Sequence, residues 1–127
     1  MSEEFQEVTP IRIAVISFER NRAVAERVSD LVRGEVIWYS DHAFSDVFSP
    51  ESGYDAIIAI MSCGIAVRKI APFLSSKWTD PAVVVVDCAL RHAIAVTGGH
   101  HGANEIAMLL SVLGADPVIT NASEVVK

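Results

Sequence analysis

The chain has 127 residues, of which 51% are hydrophobic and 20% are charged, and its formal net charge is −6 at pH 7. This length and apolar content suit one compact domain with a buried core and exclude a disordered chain. The net negative charge argues against a nucleic-acid-binding protein, because neutralising phosphates requires clustered Lys and Arg.

The sequence shows neither a targeting signal nor a cysteine pattern that would indicate a secreted protein. No apolar run approaches the ~20 residues that span a bilayer, so we expect no membrane segment. Residues 1–10 are polar and acidic and predict a flexible tail without a secretion signal. Cys63 and Cys88 form no disulfide framework and match no zinc spacing. We therefore expect a cytoplasmic protein with no metal site of its own.

Apolar runs alternate with helical spacing from residue 11 onward, which predicts a single α/β domain over 11–127. The predicted strands are 11–17, 35–39, 55–60, 81–87, 92–96 and 117–120. The predicted helices are 21–33, 65–74 and 103–113. Gly34 and Gly114 follow the first and last of these helices as C-caps, and 40–54 is predicted to be a polar loop.

This alternation predicts a three-layer α/β sandwich with a mostly parallel sheet of the Rossmann or flavodoxin-like type. Because Cys88–Arg91 is short enough for a tight turn, the strands on either side of it are predicted to form one antiparallel hairpin. Ligands of such sheets bind outside the carboxyl ends of the strands. We expect three turns to face one crevice there: Ser17–Asn21, Met61–Gly64 and Thr97–Asn104.

A glycine-histidine turn is the main candidate for a functional site. Gly98, Gly99 and Gly102 let the backbone approach a ligand, and the helix that follows adds unpaired N–H groups suited to an anion or an oxyanion. His100 and His101 add side chains that titrate near neutral pH and could act as general base and acid. The alternative is that one histidine only caps the turn.

Three other residues carry two interpretations each. Gly64 follows the third strand and would allow a close approach of a ligand, or would only serve the turn. Asn104 either caps the helix after the glycine-histidine turn or contacts a ligand. Trp78 either stacks on a flat ligand or anchors its loop.

Residues 54–125 carry four motifs that resemble the N-terminal domain of the CbiG family, the cobalt-precorrin-5A hydrolases of the anaerobic cobalamin pathway. The motifs are Cys63–Pro72, Lys77–Asp87, Gly99–Ala107 and Gly114–Thr120. The family usually reads Gly-His-x-Gly-Gly-Ala-Asn at the third motif. An ungapped alignment puts Gly99 at the family histidine, whereas a one-residue deletion puts His100 there, and both alignments stay open.

The resemblance implies a substrate, a cobalt-containing corrinoid ring with a δ-lactone and many carboxylate arms. It implies that water opens the lactone and that a two-carbon fragment leaves as acetaldehyde. The cobalt belongs to the substrate, so no cofactor of the protein is implied. The resemblance also makes Arg68 a candidate for binding a substrate carboxylate, against the alternative of a solvated helix charge.

Other functions stay open because family members commonly continue into another domain. The chain could be a non-catalytic corrinoid- or tetrapyrrole-binding module, or a subunit that works with a separate protein resembling the C-terminal domain. A phosphate- or nucleotide-binding protein would explain the glycine turn but not the other motifs. Homodimer formation also stays open.

Overall fold

The computed structural model describes residues 11–121, and the tail predicted at 1–10 lies outside the described residues. The strands are β1 Ile13–Ser17, β2 Glu35–Trp38, β3 Ala56–Ile60, β4 Ala82–Val86, β5 His92–Thr97 and β6 Asp116–Val118. The α-helices are α1 Arg22–Val32, α2 Ala43–Phe48, α3 Cys63–Ile70 and α4 Ala103–Leu110. Among these residues, no helix is long and apolar enough to cross a membrane.

The strands form one sheet in the order β2-β1-β3-β4-β5-β6. The strands β1 to β4 are parallel, β5 runs antiparallel to β4, and β6 runs parallel to β5. The order of the first five strands is that of flavodoxin-like folds, with β5 reversed in this chain. The mostly parallel sheet with one antiparallel pair is therefore confirmed.

The helices cover both faces of the sheet, which produces the predicted three layers. Every residue of β1, β3 and β4 is buried, as expected for central strands covered on two sides. Val28 of α1 and Leu110 of α4 pack in one core cluster, and Phe44 of α2 and Ile70 of α3 pack in the other. Burial of each such side chain stabilises the fold by about 1.5–3 kcal/mol.

The polar loop predicted at 40–54 is wrong in part, because it contains α2. Ala43, Phe44 and Val47 are buried on one side of this short helix. Ser45 and Asp46 interrupt the apolar residues in sequence, so the short helical pattern was masked by polar neighbours. A 3₁₀ turn at Pro50–Ser52 completes the connection to β3.

The predicted C-cap at Gly34 is displaced by one residue. Arg33 adopts the left-handed conformation that ends α1, with φ of 56°. Gly34 is instead required by packing, because a Cβ there would lie 2.9 Å from the carbonyl oxygen of Ile13. Gly114 does have positive φ, at 100°, and follows a 3₁₀ turn that extends α4 over Ser111–Leu113.

Candidate functional site

The three turns expected to share one crevice lie at opposite edges of the sheet. We call the edge where β1, β3 and β4 begin the amino edge and the other the carboxyl edge. Because β5 is antiparallel to β4, its last residue Thr97 pairs with Val83 near the start of β4. The glycine-histidine turn is therefore at the amino edge, whereas Ser17–Asn21 and Met61–Gly64 are at the carboxyl edge, about 17 Å of strand away.

Glycine is required at both ends of the glycine-histidine turn. Gly98 and Gly102 adopt positive φ, at 74° and 115°, which L side chains adopt at a cost. A Cβ on Gly98 would also lie 2.9 Å from the Cα of Ala82 in β4. The Gly98 carbonyl accepts hydrogen bonds from the backbone N–H groups of His101, at 2.9 Å, and Ala103, at 3.1 Å. These two N–H groups are thus used inside the turn.

Asn104 does not cap α4, which corrects one of its two predicted roles. The N-cap residue is Gly102, and no side chain caps the helix. Asn104 is buried, and its side-chain Nδ2 donates a 3.0 Å hydrogen bond to Oδ1 of Asn121. Asn121 follows β6 and reaches the same edge, because β6 runs parallel to β5.

The turn lines an open pocket together with the loop before β4. This amino-edge pocket has a volume of about 230 Å³ and is lined by Lys77, Trp78, Gly98, Gly99, His100, His101 and Asn121. A neighbouring pocket of about 250 Å³ shares Lys77 and Gly98 with it and extends along Leu74–Lys77, Asp80, Pro81 and Thr97. The amino-edge pocket thus brings together Gly98, Gly99, the two histidines and Trp78.

Trp78 stands exposed beside the histidines. Its residue surface is 71% exposed, which rules out a buried loop anchor. Its ring meets that of His101 edge-on, with 5.5 Å between the ring centroids. The Lys77 ammonium lies 5.1 Å from the Trp78 ring centroid. A flat aromatic face, an imidazole and a cation therefore lie side by side at the mouth of the pocket.

Asp80 stabilises this loop through hydrogen bonds to its backbone. Its Oδ2 accepts hydrogen bonds from the backbone N–H groups of Ser75, at 2.9 Å, and Ser76, at 3.1 Å. These bonds close the turn that carries Lys77 and Trp78. Local hydrogen bonds to Asp80 therefore define the conformation of this loop.

Gly64 and Arg68 do not join this pocket. Gly64 lies in the first turn of α3, at the carboxyl edge, and Arg68 lies in its last turn with an exposed side chain. Neither lines the pocket that contains the histidines. The expectation that both contact the same substrate as the glycine-histidine turn loses its geometric basis.

The carboxyl edge has a pocket of its own, of about 280 Å³, lined by Phe18, Arg20, Asn21, Met61, Ser62, Ile65, Asp87 and Cys88. Asp87 at its rim serves the β4–β5 turn. Burial alone would raise the pKa of Asp87, but hydrogen bonds from the backbone N–H groups of His92 and Arg91 outweigh it and hold the pKa below its ordinary value. The Asp87 carboxylate therefore stabilises the β4–β5 turn through these backbone hydrogen bonds.

Sequence reasoning missed two residues of the amino-edge pocket, Lys77 and Asn121, as individual candidates. Lys77 carries a weak signal, since it opens the Lys77–Asp87 motif and precedes a tryptophan, whose ring face attracts cations. Asn121 carries none, because only the direction of β6 brings it to the turn. Among residues 11–121, no three His, Cys, Asp or Glu side chains gather as a metal site, and Cys63 and Cys88 are free thiols.

The fold and the site define a flavodoxin-like α/β domain with an aromatic, histidine-containing pocket at the amino edge of its sheet. The family described as Cobalamin synthesis G N-terminal matches residues 44–124, which is more than half of the chain. The chain belongs to this family, as the four motifs predicted.

Two curated relatives carry the name cobalt-precorrin-5A hydrolase. The protein of Salmonella typhimurium is 50% identical over 74 residues, which are 57% of this chain and 21% of that protein. The protein of Priestia megaterium is 50% identical over 76 residues, which are 58% of this chain and 20% of that protein. The matched part thus spans about a fifth of each relative.

A solved structure shares the fold over most of the chain. It is the crystal structure of a cobalamin biosynthesis protein G homolog from Sulfolobus solfataricus, with a TM-score of 0.71 and 30% sequence identity. The match covers 85% of this chain and 36% of that one. The chain therefore belongs to the Cobalamin synthesis G N-terminal family and resembles one part of the proteins named cobalt-precorrin-5A hydrolase.

Proposed function

We propose that this domain binds a cobalt corrinoid lactone at the amino-edge pocket and takes part in opening the lactone with water, with release of acetaldehyde. The observation that carries the proposal is the juxtaposition of His100 and His101 with Trp78 and the glycine turn in one pocket. The family membership supplies the substrate class, because the relatives are named for cobalt-precorrin-5A.

The size of the pocket suits one edge of a corrinoid and not the whole ring. A volume of about 230 Å³ is below the ~300–1,000 Å³ of pockets that enclose a drug-sized ligand. The lactone and its adjoining arms would enter the pocket, and the macrocycle would lie across Trp78. Contact between the exposed indole and a flat conjugated ring is worth about 0.5–1.5 kcal/mol beyond the buried area.

The histidines supply the chemistry that lactone opening needs. Acetaldehyde release follows lactone opening: the freed hydroxyl loses its proton, the C–C bond to the macrocycle breaks and the electron pair stays on the macrocycle. For the opening itself, water must lose a proton as it adds to the lactone carbonyl, and the departing oxygen must gain one. A positioned imidazole can do both in turn, typically with a ~10²–10⁴-fold effect on rate. His101 is held against Trp78, at the pocket mouth, while His100 lies one residue nearer to Gly98. We assign the proton transfer to His100 first and the ring-facing contact to His101.

The first experiment is a spectroscopic titration of the purified chain with cobalt-precorrin-5A, followed by an assay for acetaldehyde. We expect binding with release of acetaldehyde in wild type. His100→Ala should keep binding and lose about 10²–10⁴-fold in turnover. His92→Ala is the matched control, because His92 is exposed at the start of β5, on the other edge of the sheet.

The second candidate function is binding without turnover. It is favoured by the length of the match, since about a fifth of each named hydrolase is represented. In that case wild type binds cobalt-precorrin-5A without acetaldehyde release, and turnover requires a protein corresponding to the remainder of the relatives. Absence of binding in wild type would refute both candidates.

A further inference from the structure

The amino-edge pocket has the charge of an anion site in a protein whose overall charge is negative. Its lining residues include one lysine, two histidines and one asparagine, and no carboxylate side chain. The formal net charge of the chain is −6, so this is a local excess of hydrogen-bond donors and positive charge. Such a set suits a carboxylate, because ionised acceptors form the stronger hydrogen bonds.

Asn121 is held in one orientation by a buried partner. Asn104 is only 8% exposed and donates through Nδ2 to Oδ1 of Asn121 at 3.0 Å. This bond engages Oδ1 of Asn121 as an acceptor, so the donor capacity of this amide lies at its N–H₂ end, on a side chain that lines the pocket. Asn104, in the first turn of α4, thereby sets the orientation of the Asn121 amide.

The lack of a side chain at Gly99 leaves the space that the Asn121 amide occupies. A Cβ on Gly99 would lie 2.3 Å from Oδ1 and 2.6 Å from Nδ2 of Asn121. Gly99 is not among the glycines with positive φ, so its backbone would accept alanine. The Asn121 side chain is therefore the obstacle at this position, and a methyl group there would push the amide out of place.

Resting on the proposed function, we propose that Asn121 donates its side-chain N–H to a carboxylate arm of the bound corrinoid. Asn104 is the positioning residue that orients this amide, and Lys77 adds the balancing charge. The pocket then recognises an acidic arm beside the reacting lactone, and carboxylate recognition is separate from the proton transfer at His100.

Three variants perturb this arrangement in different ways. Asn121→Ala removes the donor. Gly99→Ala keeps the amide but displaces it. Asn104→Asp supplies only acceptors, so the Asn121 amide should turn its N–H₂ end inward and present its oxygen to the ligand. Each should weaken binding of cobalt-precorrin-5A by about ten- to a hundredfold, the usual effect of losing a hydrogen bond to a charged group.

The matched control is Asn21→Ala, which removes an amide at the carboxyl edge and should bind as wild type does. Gly64→Ala serves as the control for Gly99→Ala, because nothing lies within 4 Å of a Cβ there. Wild-type affinity in Asn121→Ala and in Gly99→Ala would overturn the inference, even if Asn104→Asp fails to fold.

A second measurement separates this inference from the proposed function. Sodium propionate, a simple carboxylate, is titrated into ¹⁵N-labelled protein while the side-chain amide signals of Asn121 and Asn104 are followed by NMR. We expect the Asn121 signal to shift in wild type and to stay unshifted in Gly99→Ala. If the corrinoid does not bind and propionate still shifts Asn121, the proposed function and the corrinoid as ligand are both refuted, while the role of Asn121 as a carboxylate donor stands. An Asn121 signal that neither ligand moves overturns the inference.

Discussion

Substitution of Gly98 by alanine tests the geometry of the glycine-histidine turn, because it adds both backbone strain and a steric contact at one position. Alanine there must adopt φ near 74°, which costs an L residue about 1–2 kcal/mol. Its Cβ must also lie 2.9 Å from the Cα of Ala82, an atom of the sheet backbone. Overpacking against backbone that cannot turn away costs about 1–3 kcal/mol.

The sum predicts that Gly98→Ala lowers the free energy of unfolding by about 2–5 kcal/mol, a large part of the ~5–15 kcal/mol of a typical domain. The corresponding fall in Tm is about 8–20 °C at roughly 4 °C per kcal/mol. Urea unfolding followed by circular dichroism measures the change, with the slope m compared between variants to confirm a two-state transition.

Two further glycine variants separate the costs. Gly102→Ala introduces backbone strain alone, because φ is 115° and nothing lies within 4 Å of a Cβ there. We expect it to lower the free energy of unfolding by about 1–3 kcal/mol. Gly64→Ala lies in α3 with open space around it and should gain about 0.5–1 kcal/mol. A Gly98→Ala variant within about 0.5 kcal/mol of wild type would refute the reasoning.

Three other predictions test the pocket, the hairpin and the unexpected helix. Trp78→Ala should weaken corrinoid binding roughly two- to tenfold and leave Tm unchanged, because the residue is 71% exposed; equal affinity would count against ring contact. Asp87→Ala should cost about 1–3 kcal/mol at neutral pH in urea unfolding, since two backbone N–H groups lose their acceptor. Because the folded pKa of Asp87 lies below its ordinary value of 3.8, its contribution is complete above that pH and is lost as pH falls through the folded pKa; the variant should lack this part of the acid sensitivity. Phe44→Ala, at 3% exposure, should cost about 3–5 kcal/mol, and a near-neutral result would contradict the packing of α2.

The candidate site was only partly readable from the sequence. The residue types of the turn pointed to chemistry, and His100, His101, Gly98, Gly99 and their loop do line one pocket. Gly64 was grouped with them because it follows a strand end, and Arg68 because the resemblance to the family made it a candidate. That grouping assumed that all strands run the same way, although the predicted hairpin already required one of them to be reversed.

The sequence alone determined the alternation of strands and helices, the three layers and the tight turn between β4 and β5. These follow from local patterns: apolar runs, helical spacing, and a connection too short to cross over the sheet. It also determined the family, because four motifs in order are specific. These patterns did not predict α2, because one short helix carries too few apolar residues to be distinguished from its polar neighbours.

Only the tertiary structure decided where the chemistry lies. The reversal of β5 moves the glycine-histidine turn to the amino edge, and the parallel pairing of β6 with β5 brings Asn121 to the same place. The contacts Asn104–Asn121 and Trp78–His101 join segments that are far apart in the chain. Strand direction and sheet order are set by packing of the whole domain, and no local stretch of residues encodes them.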